Sequence, residues 1–164
     1  MERDKIQFRR AELNDVDAIA SLINKAFLVE RPFIDGDRTS VDVVRELMEK
    51  GQFLLAEEMA VLIGCVYIEQ RGNRAYLGLL SIEPTRQGTG LGSRVTLRAE
   101  RCACEAGATG IDLKIVSGRS GLPEFYGRLG YTRTGTEPFP AEVATKVPSH
   151  FIKMSKQLVK ANQH

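Results

Sequence analysis

Gln87-Gly88-Thr89-Gly90-Leu91-Gly92 is the segment of this chain whose residue types and spacing are best suited to chemistry. An apolar run, Tyr76 to Ile82, leads into it through Pro84, and an amphipathic segment leaves it at Ser93. A strand that feeds a glycine turn and then a helix points the helix's unpaired first N–H groups, and the positive end of its dipole, at one spot. Glycines let that backbone come close to a diphosphate, because no Cβ stands in the way. The segment is therefore read as the seat of a phosphate-bearing cofactor.

Spacing separates three loops that use this physics. A P-loop requires Gly-x4-Gly-Lys-Ser/Thr, with the lysine reaching the outer phosphates; no lysine follows these glycines and Arg94 comes too late. A dinucleotide fingerprint requires Gly-x-Gly-x-x-Gly. Gly88 and Gly90 fit it, but position 93 is Ser. Asp112 follows at about the distance of a ribose-binding acid, yet it opens the next apolar strand, whereas that acid belongs at the strand's end. The third pattern, Gln/Arg-x-x-Gly-x-Gly/Ala, is matched in full by Gln87, Gly90 and Gly92.

In this loop and two further pieces the sequence resembles the GNAT-type N-acetyltransferases. Leu80-Ser81-Ile82-Glu83-Pro84 resembles that family's strand end before its pyrophosphate loop, Gln87 to Gly92 resembles the loop, and Phe125-Tyr126-Gly127-Arg128-Leu129-Gly130-Tyr131 resembles its Phe-Tyr-x-x-Leu-Gly-Tyr/Phe segment. The core match spans residues 75–135, and a looser element order carries it across most of the chain. The resemblance implies transfer of an acetyl group from acetyl-CoA, as cosubstrate, to a primary amine by direct attack in a ternary complex, without a metal.

That chemistry sets requirements. A lysine-like amine with pKa ~10.4 is neutral only about once in 2,500 molecules at pH 7, roughly 4.6 kcal/mol uphill. A base and a less polar site offset this, and the developing oxyanion needs a donor. By resemblance, Gln87, Gly88, Thr89, Gly90, Leu91, Gly92 and Ser93 bind the pyrophosphate, mainly through backbone N–H groups. The backbones of Ser81 and Ile82 pair with the pantetheine amides as an added strand would, and the N–H of Ile82 is the expected oxyanion donor. Tyr126 sits where the family places the general acid for the departing thiolate; the alternative reading is a core aromatic on a short helix. Only one of Phe125 and Tyr126 can pack fully inward, since adjacent helix residues face different ways.

The chain departs from the family at two places. Many members carry a Glu on the strand before the loop, where this chain has Tyr76. Glu69, ending the preceding strand, and Glu30, in the helix–helix loop, are the alternatives, each acting through water or serving only as an exposed charge. The family often has an Asn about seven residues before Tyr126, where this chain has Arg119. Arg119 is read either as a phosphate or acidic-substrate contact or as a solvated loop residue. His150 is read as structural. Two rival readings remain: a non-catalytic acyl-CoA-binding sensor that kept the fold and lost its base, and a nucleotide-binding module built on the same loop.

The elements that must position these residues follow from periodicity. Ile6–Arg10 reads as a strand, and Val16–Leu28 as a helix behind Asn14 or Asp15. Thr39 or Ser40 caps a second helix, Val41–Lys50. Phe53–Glu58 and Ala60–Gln70 form a hairpin with a tight turn near Glu58-Met59, and Ala75–Ile82 is the next strand. Gly90–Ala106 is a helix with a stripe of Leu91, Val95, Ala99, Cys102 and Ala106. Ile111–Val116 is a strand, Leu122–Gly130 a short helix, Tyr131–Gly135 and Phe151–Leu158 strands, and Glu137–Pro148 an exposed loop. The order implies an α/β (α+β) fold. It is expected to be one domain over residues 1–164, a mixed, mostly antiparallel sheet of about seven strands with helices on both faces. The unit from 75 to 116 is a right-handed crossover onto a parallel strand; by resemblance that pair splays and admits the pantetheine arm.

Composition narrows the partners. A net charge of +2, with Lys and Arg scattered, argues against nucleic acid. No apolar run reaches the ~18 residues of a membrane span, and Met1-Glu2-Arg3-Asp4-Lys5 shows no secretory pattern. Cys65, Cys102 and Cys104 are read as reduced thiols of a cytoplasmic protein. By resemblance the acceptor, a small-molecule or peptide amine, lies between loops 28–38 and 136–149. An exposed edge strand would permit a homodimer.

Overall fold

The computed structural model describes residues 5–30, 39–117, 121–139 and 150–159. In chain order the elements are β1 (Ile6–Arg10), α1 (Val16–Ala26), α2 (Val41–Lys50), β2 (Gln52–Glu58), β3 (Val61–Arg71), β4 (Arg74–Ile82), α3 (Leu91–Glu105), β5 (Gly110–Val116), α4 (Leu122–Arg128), β6 (Thr132–Pro138) and β7 (His150–Gln157). The strands form one seven-stranded sheet in the order β1-β2-β3-β4-β5-β7-β6. Every neighbouring pair is antiparallel except β4 with β5. The fold is thus the expected mixed α/β sheet, with β7 inserted between β5 and the edge strand β6. No helix among the described residues is long and apolar enough to cross a membrane.

Alternation along the strands divides the core in two. One cluster joins Ile68, Leu77, Ile111, Leu113 and Met154 of the sheet to Leu91, Val95 and Ala99 of α3 and to Tyr126 of α4. The other joins Phe53, Leu55, Cys65 and Tyr67 to Ile19 and Ile23 of α1 and Val44 of α2. A fully buried Ile or Val contributes about 1.5–3 kcal/mol, so the two layers hold the sheet from opposite sides. The second layer packs on β2, β3 and β4. On that same face β5 and β7 carry Asp112, Lys114 and Lys153, which are half-buried or exposed.

Several boundaries moved. Helix α1 ends at Ala26, with a short 3-10 turn over Phe27–Glu30. Asp15 closes the preceding turn, accepting from the Glu12 N–H at 2.7 Å, rather than capping α1 with its side chain. Ser40 does cap α2, accepting from the Val43 N–H at 3.2 Å. Strand β6 runs from Thr132 to Pro138, so the expected exposed loop begins later than Glu137. On α3 the inward face is Leu91, Val95, Ala99 and Ala103, with Thr96 and Glu100 also buried; Cys102 is half-buried and Ala106 exposed. The i, i+4 stripe simply continues through Ala103, and the stripe read from the sequence had slipped one residue off it.

The β2–β3 hairpin pairs Glu58 with Val61, leaving the two-residue turn Met59-Ala60 with φ of 53° and 65°. Such turns favour Asn-Gly, because L-residues in the left-handed region cost about 1–2 kcal/mol each. Met59→Asn with Ala60→Gly is therefore expected to stabilise the protein by roughly 1–2 kcal/mol after the entropic cost of glycine. A shift of the urea midpoint to higher concentration measures it; an unchanged or lower midpoint shows that the turn is unstrained.

Candidate active site

Strands β4 and β5 are paired only at Ala75–Ile111 and Tyr76–Asp112. Beyond these residues both strands continue, to Ile82 and Val116, without pairing to each other. The separation begins at an irregularity in β4. Cys65 faces Ser81 and Tyr67 faces Gly78, so β4 carries one more residue than β3 across this stretch. Leu79 absorbs it, with φ of 56°, a left-handed conformation that costs a non-glycine residue of order 1–3 kcal/mol. The Ser81 hydroxyl, 1% exposed, fastens the bulge by donating to the Leu79 carbonyl at 2.9 Å. The extra residue resets the alternation, so Leu80 and Ile82 pack toward α3 and α4. The Glu83 N–H donates to the Ile63 carbonyl at 2.8 Å. Alternation along the strand then turns the Ile82 N–H the other way, toward the space between β4 and β5.

The glycine loop stands at the mouth of this space. Pro84–Arg86 form a single 3-10 turn capped by Glu83, which accepts from the Thr85 N–H at 2.8 Å, and a Lys25–Glu83 and an Arg86–Glu58 ion pair hold it. Gln87, Gly88, Thr89 and Gly90 are exposed; Leu91 is 3% exposed and anchors the first turn of α3 in the core. Gly88 and Gly90 have φ of 80° and 87°, and a Cβ at either would meet nothing within 4 Å. Gly90 is the N-cap and offers no side chain to the first-turn N–H groups. Those donors and the dipole of a four-turn helix lie beside two glycines with open space at their Cβ positions, which suits a diphosphate.

Tyr126 is 8% exposed and packs in the α3-side cluster, edge-on to Phe125 at 4.9 Å and to Tyr131 at 5.6 Å between ring centroids. Of the adjacent pair it is Tyr126 that lies inward. Phe125 is half-buried, and its ring would contact a Cβ at Gly92 at 3.4 Å, so it rests on the start of α3. The end of α4 is pinned from below: the Tyr131 N–H donates to the Tyr126 carbonyl at 3.0 Å. The Tyr131 hydroxyl donates to Glu100 Oε2 at 2.9 Å, and Lys156 Nζ donates to Glu100 Oε1 at 2.8 Å. This buried Glu100–Tyr131–Lys156 cluster was not anticipated from the sequence, where Glu100 reads as an ordinary helix charge.

Glu69 lies on the opposite face, beside Tyr76, its cross-strand partner. Its carboxylate accepts from Arg71 Nε and from the Tyr67 hydroxyl, both at 2.6 Å. The Arg71 hydrogen bond, then that of Tyr67, holds its pKa below the usual carboxylate range. Tyr76 lies under the Arg71 guanidinium, 4.3 Å from the ring centroid. Its ring leans along the strand over Gly78, filling the space a Cβ there would need, 2.8 Å away. Gly78 thus lets the phenol occupy the vertex where β4 and β5 part. Glu30 closes the 3-10 turn after α1, and nothing beyond its backbone is described. Arg119 lies outside the described residues, as do residues 31–38 and 140–149 of the two expected acceptor loops. His150 is exposed at the start of β7, its backbone N–H donating to Ser117 Oγ at 3.0 Å.

Five carboxylates, each beside a cation, share one electrostatic signature. Asp15 beside Arg9, Glu69 beside Arg71, Asp112 beside Arg74 and Glu137 beside Lys114 all titrate below their ordinary values. Glu83 beside Lys25 falls to about 2. A depressed carboxylate stabilises the folded state above its unfolded pKa, and the contribution disappears as pH falls through the folded pKa. Stability is therefore expected to be flat from pH 8 to 5 and to fall from about pH 4.5 toward 2. Urea denaturation along a pH series tests this; greater stability at pH 3 than at pH 6 contradicts it.

A splayed parallel strand pair followed by a glycine-led helix N-terminus is the arrangement that the resemblance to the GNAT-type acetyltransferases implied. The family model "Acetyltransferase (GNAT) domain" matches residues 33–158. The chain belongs to the GNAT acetyltransferase family. Among solved structures it is similar to Ard1 from Thermoplasma volcanium (12% identity, TM-score 0.80, covering 95% of this chain and 99% of that one). It is likewise similar to yncA from Salmonella typhimurium, solved with its cofactor acetyl-CoA (20%, 0.76, 98% and 98%). A third similar structure is a ribosomal-protein-alanine N-acetyltransferase from Brucella melitensis (17%, 0.75, 93% and 99%). At these identities the likeness is one of fold. No curated protein sequence matches the chain significantly.

Proposed function

We propose that the chain transfers an acetyl group from acetyl-CoA to a primary amine of a small-molecule or peptide acceptor, by direct attack in a ternary complex. The observation that carries this reading is the glycine-capped N-terminus of α3, whose Gly92 lies against Ile82 at the end of β4, where β4 no longer pairs with β5. The residues present fit the cosubstrate. Backbone N–H groups of Gln87–Ser93 would hold the diphosphate, with Gly88 and Gly90 leaving room for it. The unpaired edge of β4 at Ser81 and Ile82 would take the pantetheine arm as an added strand. Bound there, acetyl-CoA supplies the thioester that is the acyl donor. The Ile82 N–H, turned into the gap, is the donor to the carbonyl oxygen, and Tyr126 protonates the departing sulfur.

Deprotonation of the amine falls to Glu69 or Glu30, acting through water, and Arg119 would contact a cofactor phosphate or an acidic substrate group. Glu69 is ionised across the physiological range, so it is free of a proton but weakly basic, which suits relay through water better than direct abstraction. That weakness favours a second reading, an acyl-CoA-binding sensor. Thiol release from acetyl-CoA across a broad amine panel separates the two. Tyr126→Phe is expected to lower kcat by more than about tenfold while the acetyl-CoA KM stays within about twofold. Unchanged kcat removes Tyr126 from the mechanism. Acetyl-CoA binding without thiol release for any amine favours the sensor, and NAD or ATP stabilising the protein where CoA does not overturns the acetyl-transfer reading.

A further inference from the structure

The α1/α2 face of the sheet holds a second feature. Beside the vertex where β4 and β5 part, a cavity of about 350 Å³ opens over β5, β7 and β6, lined by Arg71, Tyr76, Asp112, Lys114, Glu137 and Lys153 among others. The α3/α4 layer covers the opposite face, so this is the side from which an acceptor reaches the gap. The charges in the groove are matched except for one. Arg71 is paired with Glu69, Asp112 with Arg74 through two hydrogen bonds of 2.9 Å, and Lys114 with Glu137 at 2.9 Å. Lys153 is exposed and has no ion pair among the described residues; Asp112 and Glu137, which feel its charge, are already held by Arg74 and Lys114.

Lys153 also sits directly opposite Lys114 in the β5–β7 register, both on this face. Like charges in directly opposed positions of a sheet are destabilising. On its other side Lys153 faces Gly135, where an added Cβ would meet nothing within 4 Å. Two lysines are thus cross-strand neighbours on this face, Lys114 bound to Glu137 and Lys153 without an ion pair among the described residues, and together they offer a seat for an anion. Thr134 and Ser155 line the same cavity, the Ser155 hydroxyl donating to Asp112 Oδ1 at 2.6 Å, and its volume suits a small molecule.

We propose that this groove receives the acceptor and that Lys153, supported by Lys114, binds a carboxylate on it, so that the substrate is a small amino-acid-type molecule, with its amine directed toward the β4–β5 gap. This rests on the acetyltransferase reading and adds the acceptor's chemical class. The test measures thiol release from acetyl-CoA with amino acids, each against its decarboxylated amine: lysine with cadaverine, serine with ethanolamine, phenylalanine with phenethylamine. A substrate amino acid is expected to exceed its decarboxylated partner in kcat/KM by about ten- to a hundredfold, the worth of one charge-assisted hydrogen bond. Lys153→Glu is expected to abolish that preference, with the acetyl-CoA-induced thermal shift kept and the melting temperature not lowered, because the new carboxylate faces Lys114. Decarboxylated amines used as well as the amino acids, or a preference that survives Lys153→Glu, overturn the inference. If no amine is turned over, thermal shift by the same amino acids in the presence of CoA decides: a shift lost in Lys153→Glu upholds the groove, and no shift overturns it. Failure of acetyl-CoA itself to bind counts against the acetyltransferase reading and not against the groove.

Discussion

Replacing Gly90 by aspartate is expected to weaken acetyl-CoA binding by more than about a hundredfold, with the unliganded protein close to the parent in stability. Gly90 has φ of 87° and nothing within 4 Å of the Cβ position, so the new side chain meets no protein atom. Aspartate is among the residues that tolerate left-handed backbone best. A carboxylate at a helix N-terminus also interacts favourably with the dipole and the open N–H groups, offsetting much of the strain. Those are the donors assigned to the diphosphate. A unit charge about 5 Å from a phosphate anion costs roughly 3 kcal/mol at an effective dielectric near 20, or about two orders of magnitude in affinity. Gly92→Ala is the control. Gly92 lies inside α3, a Cβ there would make ordinary contact with Phe125 at 3.4 Å, and the family pattern accepts alanine. Its affinity should stay within about threefold, with a small gain in stability from helix propensity. Calorimetric titration with acetyl-CoA reads both. Comparable binding by Gly90→Asp and the parent would mean that the diphosphate does not sit on this helix.

Glu100→Ala is expected to destabilise the protein by about 3–5 kcal/mol, a large share of the ordinary stability of a domain. Glu100 is 7% exposed and accepts from both the Tyr131 hydroxyl and Lys156 Nζ. Its removal leaves a buried phenol, whose pKa burial already raises, without a partner, and a lysine ammonium, 22% exposed, without a counter-charge. The three residues come from α3, from the residue before β6, and from β7. The loss therefore also loosens α4, whose Tyr126 carbonyl is tied to the Tyr131 N–H, and kcat should fall along with the melting temperature. Glu100→Gln keeps an acceptor for Tyr131 and should cost about half as much. The triple variant Glu100→Leu/Tyr131→Phe/Lys156→Met should recover most of the loss, since a buried ion pair and the phenol bound to it can be exchanged for apolar packing at little net cost. Urea denaturation measures all three. A cost below about 1 kcal/mol for Glu100→Ala would show a cluster that water already screens.

What this sequence determined alone is local. The alternation of Ile6–Arg10, the Ser40 cap with Gly51 ending α2, and the glycines before Leu91 each act within a few residues, where φ preferences, caps and side-chain period are decided. The loop spacing identified the family for the same reason: a diphosphate is held by backbone N–H groups of consecutive residues, so its requirement is written in consecutive positions. Tertiary structure decided the rest. No residue type marks Leu79 as left-handed; the bulge exists because β4 must match β3 on one side while leaving β5 on the other. Glu100 looks like a solvated helix charge until β7 brings Lys156 beneath it. Lys114 and Lys153 are 39 positions apart (153 − 114), and only insertion of β7 between β5 and β6 makes them neighbours. Each is a consequence of strand pairing between distant segments, whose register is set by how the whole sheet buries its two faces, and no window of neighbouring residues contains that information.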